Sequence, residues 1–250
     1  MFLSTRVTKP TLQDQYKLKR VLEYIKGSLG LTYTIGADSL DMLFTFVDAA
    51  YGVHPDLRSQ TGGCITLGTG GLLNRASKQK INTKSSTEAE LVGASDYLSN
   101  TIWVQNFMSA QGYPIKQSYF AQDNESAIKL ERNGRTSAGQ RSRHIDIRYF
   151  WITDRLKTDN ITLHHCPTEA MLADFLTKPL QGALFRKFRD AILGYTHMSS
   201  LHQPILSSSE ERVEVSGSDN GSVDGQTPPS VAPPSVASPA TSSFFTPNNS

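Results

Sequence analysis

Four acidic residues stand where regular elements begin or end: Asp48 after the apolar run Leu43, Phe44, Phe46, Val47; Glu90 in "SSTEAEL"; Asp123 after Tyr119, Phe120 and Ala121; and Asp174 in "TEAMLADFLTKPL". A carboxylate leaving an apolar strand is expensive to bury alone, so Asp48 and Asp123 need something positive in front of them. If their strands are neighbours and the helix carrying Glu90 adjoins them, the acids would repel one another severely unless divalent cations neutralised them. Magnesium suits such a group, because it takes oxygen ligands, few carboxylates at a time, and is completed by waters and phosphate oxygens. Two such ions about 3.5–4 Å apart activate a water and stabilise the leaving oxygen of an in-line displacement at phosphorus. The implied chemistry is phosphodiester hydrolysis.

Plainer roles compete for the same residues. Ser85 to Glu88 and Thr87 to Glu90 both spell a capping box, in which a hydroxyl and a glutamate satisfy each other's orphan amides. Taken alone, that reading of "KSSTEAELVGAS" is the stronger one. Asp123, next to Asn124, also stands where a helix cap belongs. Only the company of the other acids favours a metal.

The elements that would position them are readable from hydrophobic period. Thr11 to Gly27 predicts an amphipathic helix with a basic outer face, and Leu31 to Gly36 a short strand. Met42 onward is an apolar strand ending on Asp48, and "RSQTGGCITLGTGGLLNRASKQK" predicts two more strands around its glycines, making an antiparallel meander. Glu88 to Ala110 has the clearest helical period. A strand to Ala121, helical material, a strand "NITLHHCP", a helix "TEAMLADFLTKPL" and a basic amphipathic helix "FRKFRDAILG" follow. Strands joined through helices predict an α/β fold with a mixed sheet.

From about Ser207 the chain becomes rich in Ser, Pro and Gly without apolar period, and is expected to be disordered. Leu201 to Ser250 carries five acids and one base, so the first 200 residues hold a net charge of +6 against +2 for the whole chain. That permits a polyanionic partner without demanding one. Cys64 and Cys166 are too few for a disulfide framework and show no zinc spacing, which predicts a reducing, intracellular setting. No apolar run is long enough to span a bilayer, "MFLSTRVTKP" is not a signal peptide, and no membrane partner is expected.

"FVDAAYGVHPDLRSQTGG", "SKQKINTKSSTEAEL", "DNESAIKL", "RSRHIDIRYF" and "PTEAMLADFLTKPL", in this order, resemble the ribonuclease H domain of copia-type retrotransposon polyproteins. "FLSTRVTKPTLQDQYKLKRVLEYIKG" resembles the end of the reverse transcriptase leading into that domain. The resemblance implies a ribonuclease H-like fold, a five-stranded mixed sheet with three antiparallel strands and then two parallel ones, flanked by helices. It implies a connection remnant over residues 1–38, a nuclease domain over 39–195 and a disordered tail over 196–250. The implied activity is endonucleolytic hydrolysis of the RNA strand of RNA/DNA hybrids with two Mg²⁺ ions, or Mn²⁺, alongside the rest of the reverse transcriptase. The implied location is cytoplasmic, or nuclear as part of an integration complex. Residue by residue, the family's ligands fall on Asp48, Glu90, Asp123 and Asp174, leaving Glu88 to cap with Ser85. Departures are Ala50–Tyr51 where Asp-Trp is common, Asn74 where tryptophan is usual, and Phe150 where a second histidine is usual.

Arg135, Arg141, Arg143, Arg148 and Lys78 are candidates for the phosphates of the hybrid, since a guanidinium fork fits the oxygens; their alternative role is a solvated face. His144 is read as structural, and His164 and His165 lack the further ligands a metal site needs. A catalytically inactive remnant that binds nucleic acid at most is the alternative function.

Overall fold

The computed structural model describes residues 3–133 and 143–201. Strand β1 (Met42–Ala50) lies at the centre of a five-stranded sheet. It pairs antiparallel with β2 (Gln60–Thr66), which pairs antiparallel with β3 (Leu73–Lys78). On its other side β1 pairs in parallel with β4 (Gln117–Gln122), and β4 with β5 (Ile161–His165). The mixed sheet implied by the resemblance is therefore present, with order β3-β2-β1-β4-β5. A separate two-stranded ribbon joins Gly36–Ala37 to Gly68–Thr69.

Alternation along β1 splits its side chains between two cores, as a pleated strand requires. Leu43 and Val47 pack with Leu91, Leu98 and Ile152 from helices α2 (Ser86–Ala110) and α4 (Arg143–Thr158). Phe44 and Phe46 pack on the opposite face with Met171, Leu172 and Phe188, the last from α6 (Gly182–Leu193). Buried Thr45 hydrogen bonds Thr101 of α2 through their hydroxyls, 3.0 Å apart.

Three elements differ from expectation, each for a local reason. The helix predicted over "TEAMLADFLTKPL" is broken: a 3-10 turn at Thr168–Ala170 and the short helix α5 (Asp174–Thr177) flank Met171, Leu172 and Ala173, all fully buried. Met171 leaves the helical region (φ −71°, ψ 90°), which closes the 3-10 turn before α5 begins. The strand predicted at Leu31 to Gly36 is irregular up to Ile35, because its backbone is claimed elsewhere. Thr34 N donates to Leu193 O at the end of α6, and Thr32 N to the Tyr195 hydroxyl. Helix α1 (Leu12–Gly27) forms, closed by a reciprocal Thr11–Asp14 capping box, yet Leu12, Tyr16, Leu18, Val21, Leu22 and Ile25 are all exposed. Of the segment expected to be disordered, residues 202–250 lie outside the described residues, whereas Met198–Ser200 is a 3-10 turn with Met198 and Leu201 buried.

One buried acid lies apart from the four candidates. Glu131, on α3 (Glu125–Asn133), is fully buried and receives the Gln122 side-chain amide at 2.8 and 3.2 Å once that amide is turned toward it. Burial pushes its carboxyl well above the usual range, against the lowering effect of that hydrogen bond. With the folded pKa raised, the stability tied to the protonated group is whole below the unfolded value of about 4.3 and is lost as pH rises toward the folded value. Glu131→Gln removes this titration. Its melting temperature is expected to gain on the wild type as pH rises from about 5; melts at pH 5 and pH 8 that keep the same difference would contradict this.

Candidate metal centre

The chain runs from β1 toward one side of the sheet and returns to β4 on the other, so the β1–β4 boundary is where the topology switches direction. Open α/β sheets present a crevice beyond the carboxyl ends of such strands. The register pairs Phe46 with Ala121; continued for two residues, it sets Asp48 opposite Asp123. Sequence separation is thereby erased.

Glu90 arrives from α2. Ser85 opens this helix: its hydroxyl accepts from Glu88 N at 3.2 Å, while the Glu88 carboxylate accepts from Lys84 N at 2.8 Å. The cap is thus served without Glu90. One turn further, an added Cβ at Gly93 would lie only 3.3 Å from Ala49 Cβ, so α2 runs close against β1 beside Asp48. Asp123 is likewise free of capping, because Asn124 accepts from Ala127 N at 3.0 Å and starts α3 itself.

Asp48, Glu90 and Asp123 each offer an oxygen within 4.8 Å of the others. Asp48 and Glu90 are buried and Asp123 half-buried. Burial raises the Asp48 carboxyl above its usual range, with the Asp123 charge adding, while Thr177 and Lys178 work the other way. Glu90 is pushed well above its usual range by burial and then by Asp48 and Asp123. Its Oε2 is buried with no hydrogen-bond partner. A buried carboxylate that has an orphan oxygen and two more carboxylates within 4.8 Å is costly unless a cation meets it. An all-oxygen donor set of this kind fits a hard divalent ion.

Asp174 joins from α5, on the far face of β1. It is buried and raised to about 6, chiefly by burial. Its link to the others is Lys178, whose ammonium lies 2.7 Å from Asp174, 3.7 Å from Asp123 and 3.8 Å from Asp48. Thr177 donates its hydroxyl to Asp48 Oδ2. Neither residue is among the predicted site residues, although both lie in the quoted "ADFLTKPL" and Lys178 follows Asp174 by one helical turn. What lets α5 approach is Gly62, directly across from Asp48 in the register. A Cβ there would lie 2.7 Å from Thr177 Cγ2 and 2.8 Å from Leu176 Cβ. Its neighbour Gly63 makes the same room on the other face for the Tyr97 ring, 2.4 Å from an added Cβ.

The basic candidates are dispersed. Arg148 pairs with Asp96 of α2 at 2.5 Å, and Lys78 with Asp56 at 2.9 Å. Arg135 and Arg141 lie outside the described residues, and for Arg143 and His144 only the backbone, in α4, is described. His164 lies against Tyr119 with the rings tilted, their centroids 5.2 Å apart, and is not among the residues grouped around Glu90.

Against known sequences, the chain is 31% identical over 177 residues to the retrovirus-related Pol polyprotein from transposon TNT 1-94 of Nicotiana tabacum, a match covering 70% of this chain and 13% of that protein. It is 29% identical over 192 residues to the Pol polyprotein from transposon RE1 of Arabidopsis thaliana, covering 76% and 13%. The chain belongs to the retrovirus-related Pol polyproteins of plant copia-type transposons. The chain spans about one eighth of the length of these relatives, as the 13% figures state. No protein-family model matches it. Among solved structures, LC11-RNase H1, isolated from compost by a metagenomic approach, aligns with a TM-score of 0.42 at 14% identity, over 54% of this chain and 92% of that one.

Gly62→Ala is expected to force α5 off the sheet and cost about 1–3 kcal/mol in denaturant unfolding, as over-packing does. Gly27→Ala, with nothing within 4 Å of an added Cβ, should leave stability unchanged or raise it by about 0.5–1 kcal/mol. Equal effects of the two would count against the close approach assigned to Gly62.

Proposed function

We propose that this chain is the ribonuclease H portion of a retrotransposon reverse transcriptase and hydrolyses the RNA strand of RNA/DNA hybrids, with two Mg²⁺ ions held by Asp48, Glu90, Asp123 and Asp174 and with Mn²⁺ able to replace them. The observation that carries the reading is the convergence of Asp48, Glu90 and Asp123, from three separate elements, around a buried and unpartnered Glu90 oxygen. Homology to Pol polyproteins supplies the biological setting.

When bound, the ions would generate the attacking nucleophile from water and stabilise the leaving oxygen at phosphorus. The chain's own residues supply the frame. Thr177 holds one Asp48 oxygen, which leaves the other turned toward the cluster. The Ser85 cap and the close approach at Gly93 fix Glu90 relative to β1. Asp123 is the most exposed of the three, so an entering phosphate would meet it first. The RNA strand would be told from DNA by its 2′-hydroxyls. Arg135, Arg141, Arg143, Arg148 and Lys78 would contact hybrid phosphates, Arg148 and Lys78 by exchanging their present carboxylate partners for them. In this reading residues 1–38 are the end of the connection, residues 39–195 the nuclease domain, and the remaining reverse transcriptase completes the hybrid track inside the cell.

The deciding assay uses a labelled RNA/DNA hybrid with Mg²⁺. Wild type is expected to cut the RNA strand, stop on chelation and recover on added Mg²⁺. Asp123→Asn should lose more than about 100-fold, beyond what disturbing a ligand's neighbours costs. Absence of cutting by both proteins would favour the inactive, nucleic-acid-binding remnant, and preference for duplex DNA would favour a different nuclease.

A further inference from the structure

Lys178 is placed unlike any other cation among the described residues. Its ammonium is within salt-bridge distance of three of the four clustered acids, donating to Asp174 Oδ1 at 2.7 Å and lying 3.8 Å from Asp48 Oδ1 and 3.7 Å from Asp123 Oδ2. It follows α5 immediately, with extended backbone (φ −111°, ψ 145°) imposed by Pro179. That geometry turns a four-carbon stem into the crevice from its rim. The side chain keeps 37% of its surface exposed, so it has an open path back to solvent.

We propose that Lys178 is a built-in counter-cation, which neutralises Asp48, Asp123 and Asp174 in the metal-free protein and withdraws when divalent ions enter, so that it competes with them for the site. The inference rests on the metal reading given above and adds to it a cost of loading. Asp48 and Asp123 offer oxygens within 4.8 Å of each other and of Glu90, too close for all three to be charged without a positive partner, and Asp174 meets the same ammonium at 2.7 Å. An ammonium is a compact point charge able to serve several oxygens at once. It is also the wrong occupant for catalysis: a divalent ion needs carboxylate oxygens at about 2.0–2.1 Å, and the Asp174 oxygen that receives the ammonium proton cannot give the same lone pair to a metal. Glu90, the acid Lys178 does not reach, is the one left with an unpartnered oxygen. The cluster is therefore partly neutralised from within, and Glu90 stays open to the first ion.

The test is calorimetric titration of the full chain with Mg²⁺ and separately Mn²⁺, together with thermal melts in chelator and in saturating Mg²⁺. Wild type is compared with Lys178→Met, which keeps the stem and removes the charge, and with Lys178→Arg, which keeps the charge. Lys178→Met is expected to bind the metal roughly tenfold tighter, within the usual range for coupling between two ligands. It should melt lower than wild type in chelator, with the difference closing in saturating Mg²⁺. Lys178→Arg should recover most of the chelator melting temperature. If Lys178→Met does not fold in chelator, Lys178→Gln provides the same comparison with a polar head. Equal or weaker metal binding by the charge-removing variants overturns the inference and leaves the metal reading standing. Absence of binding in wild type and variants alike overturns both.

Discussion

Concentrating negative charge in a partly buried crevice is the constraint around which this molecule is arranged. Three carboxylates within 4.8 Å of one another, two of them buried, would destabilise any ordinary fold. Here the repulsion is met in layers: the Thr177 hydroxyl on Asp48, the Lys178 ammonium against Asp48, Asp123 and Asp174, and, in the proposed holo state, divalent ions. Burial raises the Asp48, Glu90 and Asp174 carboxyls despite the hydrogen bonds that act the other way. Stability given up at one place for a reactive arrangement is the usual signature of a functional site.

The rest of the fold serves to bring the acids together and keep them there. Parallel pairing of β1 with β4 sets Asp48 beside Asp123 without a single side-chain contact being needed to specify it. The antiparallel neighbour β2 contributes the opposite kind of feature, two adjacent glycines that present no side chain. Because strand residues alternate between faces, Gly62 admits α5 on one side and Gly63 admits Tyr97 on the other. The Tyr97 hydroxyl then reaches Leu73 O at 2.9 Å, tying α2 to the far end of the meander. The helix that carries Glu90 is thus anchored at its cap, at Gly93 and at Tyr97.

Much of this was legible beforehand, and the limits have physical causes. Period-2 and period-3.6 patterning located the five strands and the long helix, whereas capping chemistry alone left both glutamates of "TEAE" open; the resemblance assigned Glu88 to the cap with Ser85, and the structure has it there. The helix that composition predicts over Thr168 to Leu180 is interrupted at Met171, whose backbone leaves the helical region, a change that no propensity of the stretch reports. The strand at Leu31 to Gly36 failed because its backbone pairs with the end of α6, a partner more than 150 residues away in sequence. The apolar residues of α1 have helical spacing yet remain exposed, with Tyr24 against Phe185 of α6 as a contact at the edge of that face, so period alone does not predict burial.

Residue types, order and spacing determined which acids were candidates, what chemistry carboxylates of that kind perform, and that strands and helices alternate around a mixed sheet. Those are properties of short windows, set by local sterics and hydrophobic period. Only the folded chain decided that Asp48, Glu90 and Asp123 face a common point, that Asp174 reaches them through Lys178, and that Gly62 is the gap through which α5 arrives. Distances between groups 126 residues apart in sequence, such as Asp48 and Asp174, depend on register and close packing, which no single stretch of sequence contains.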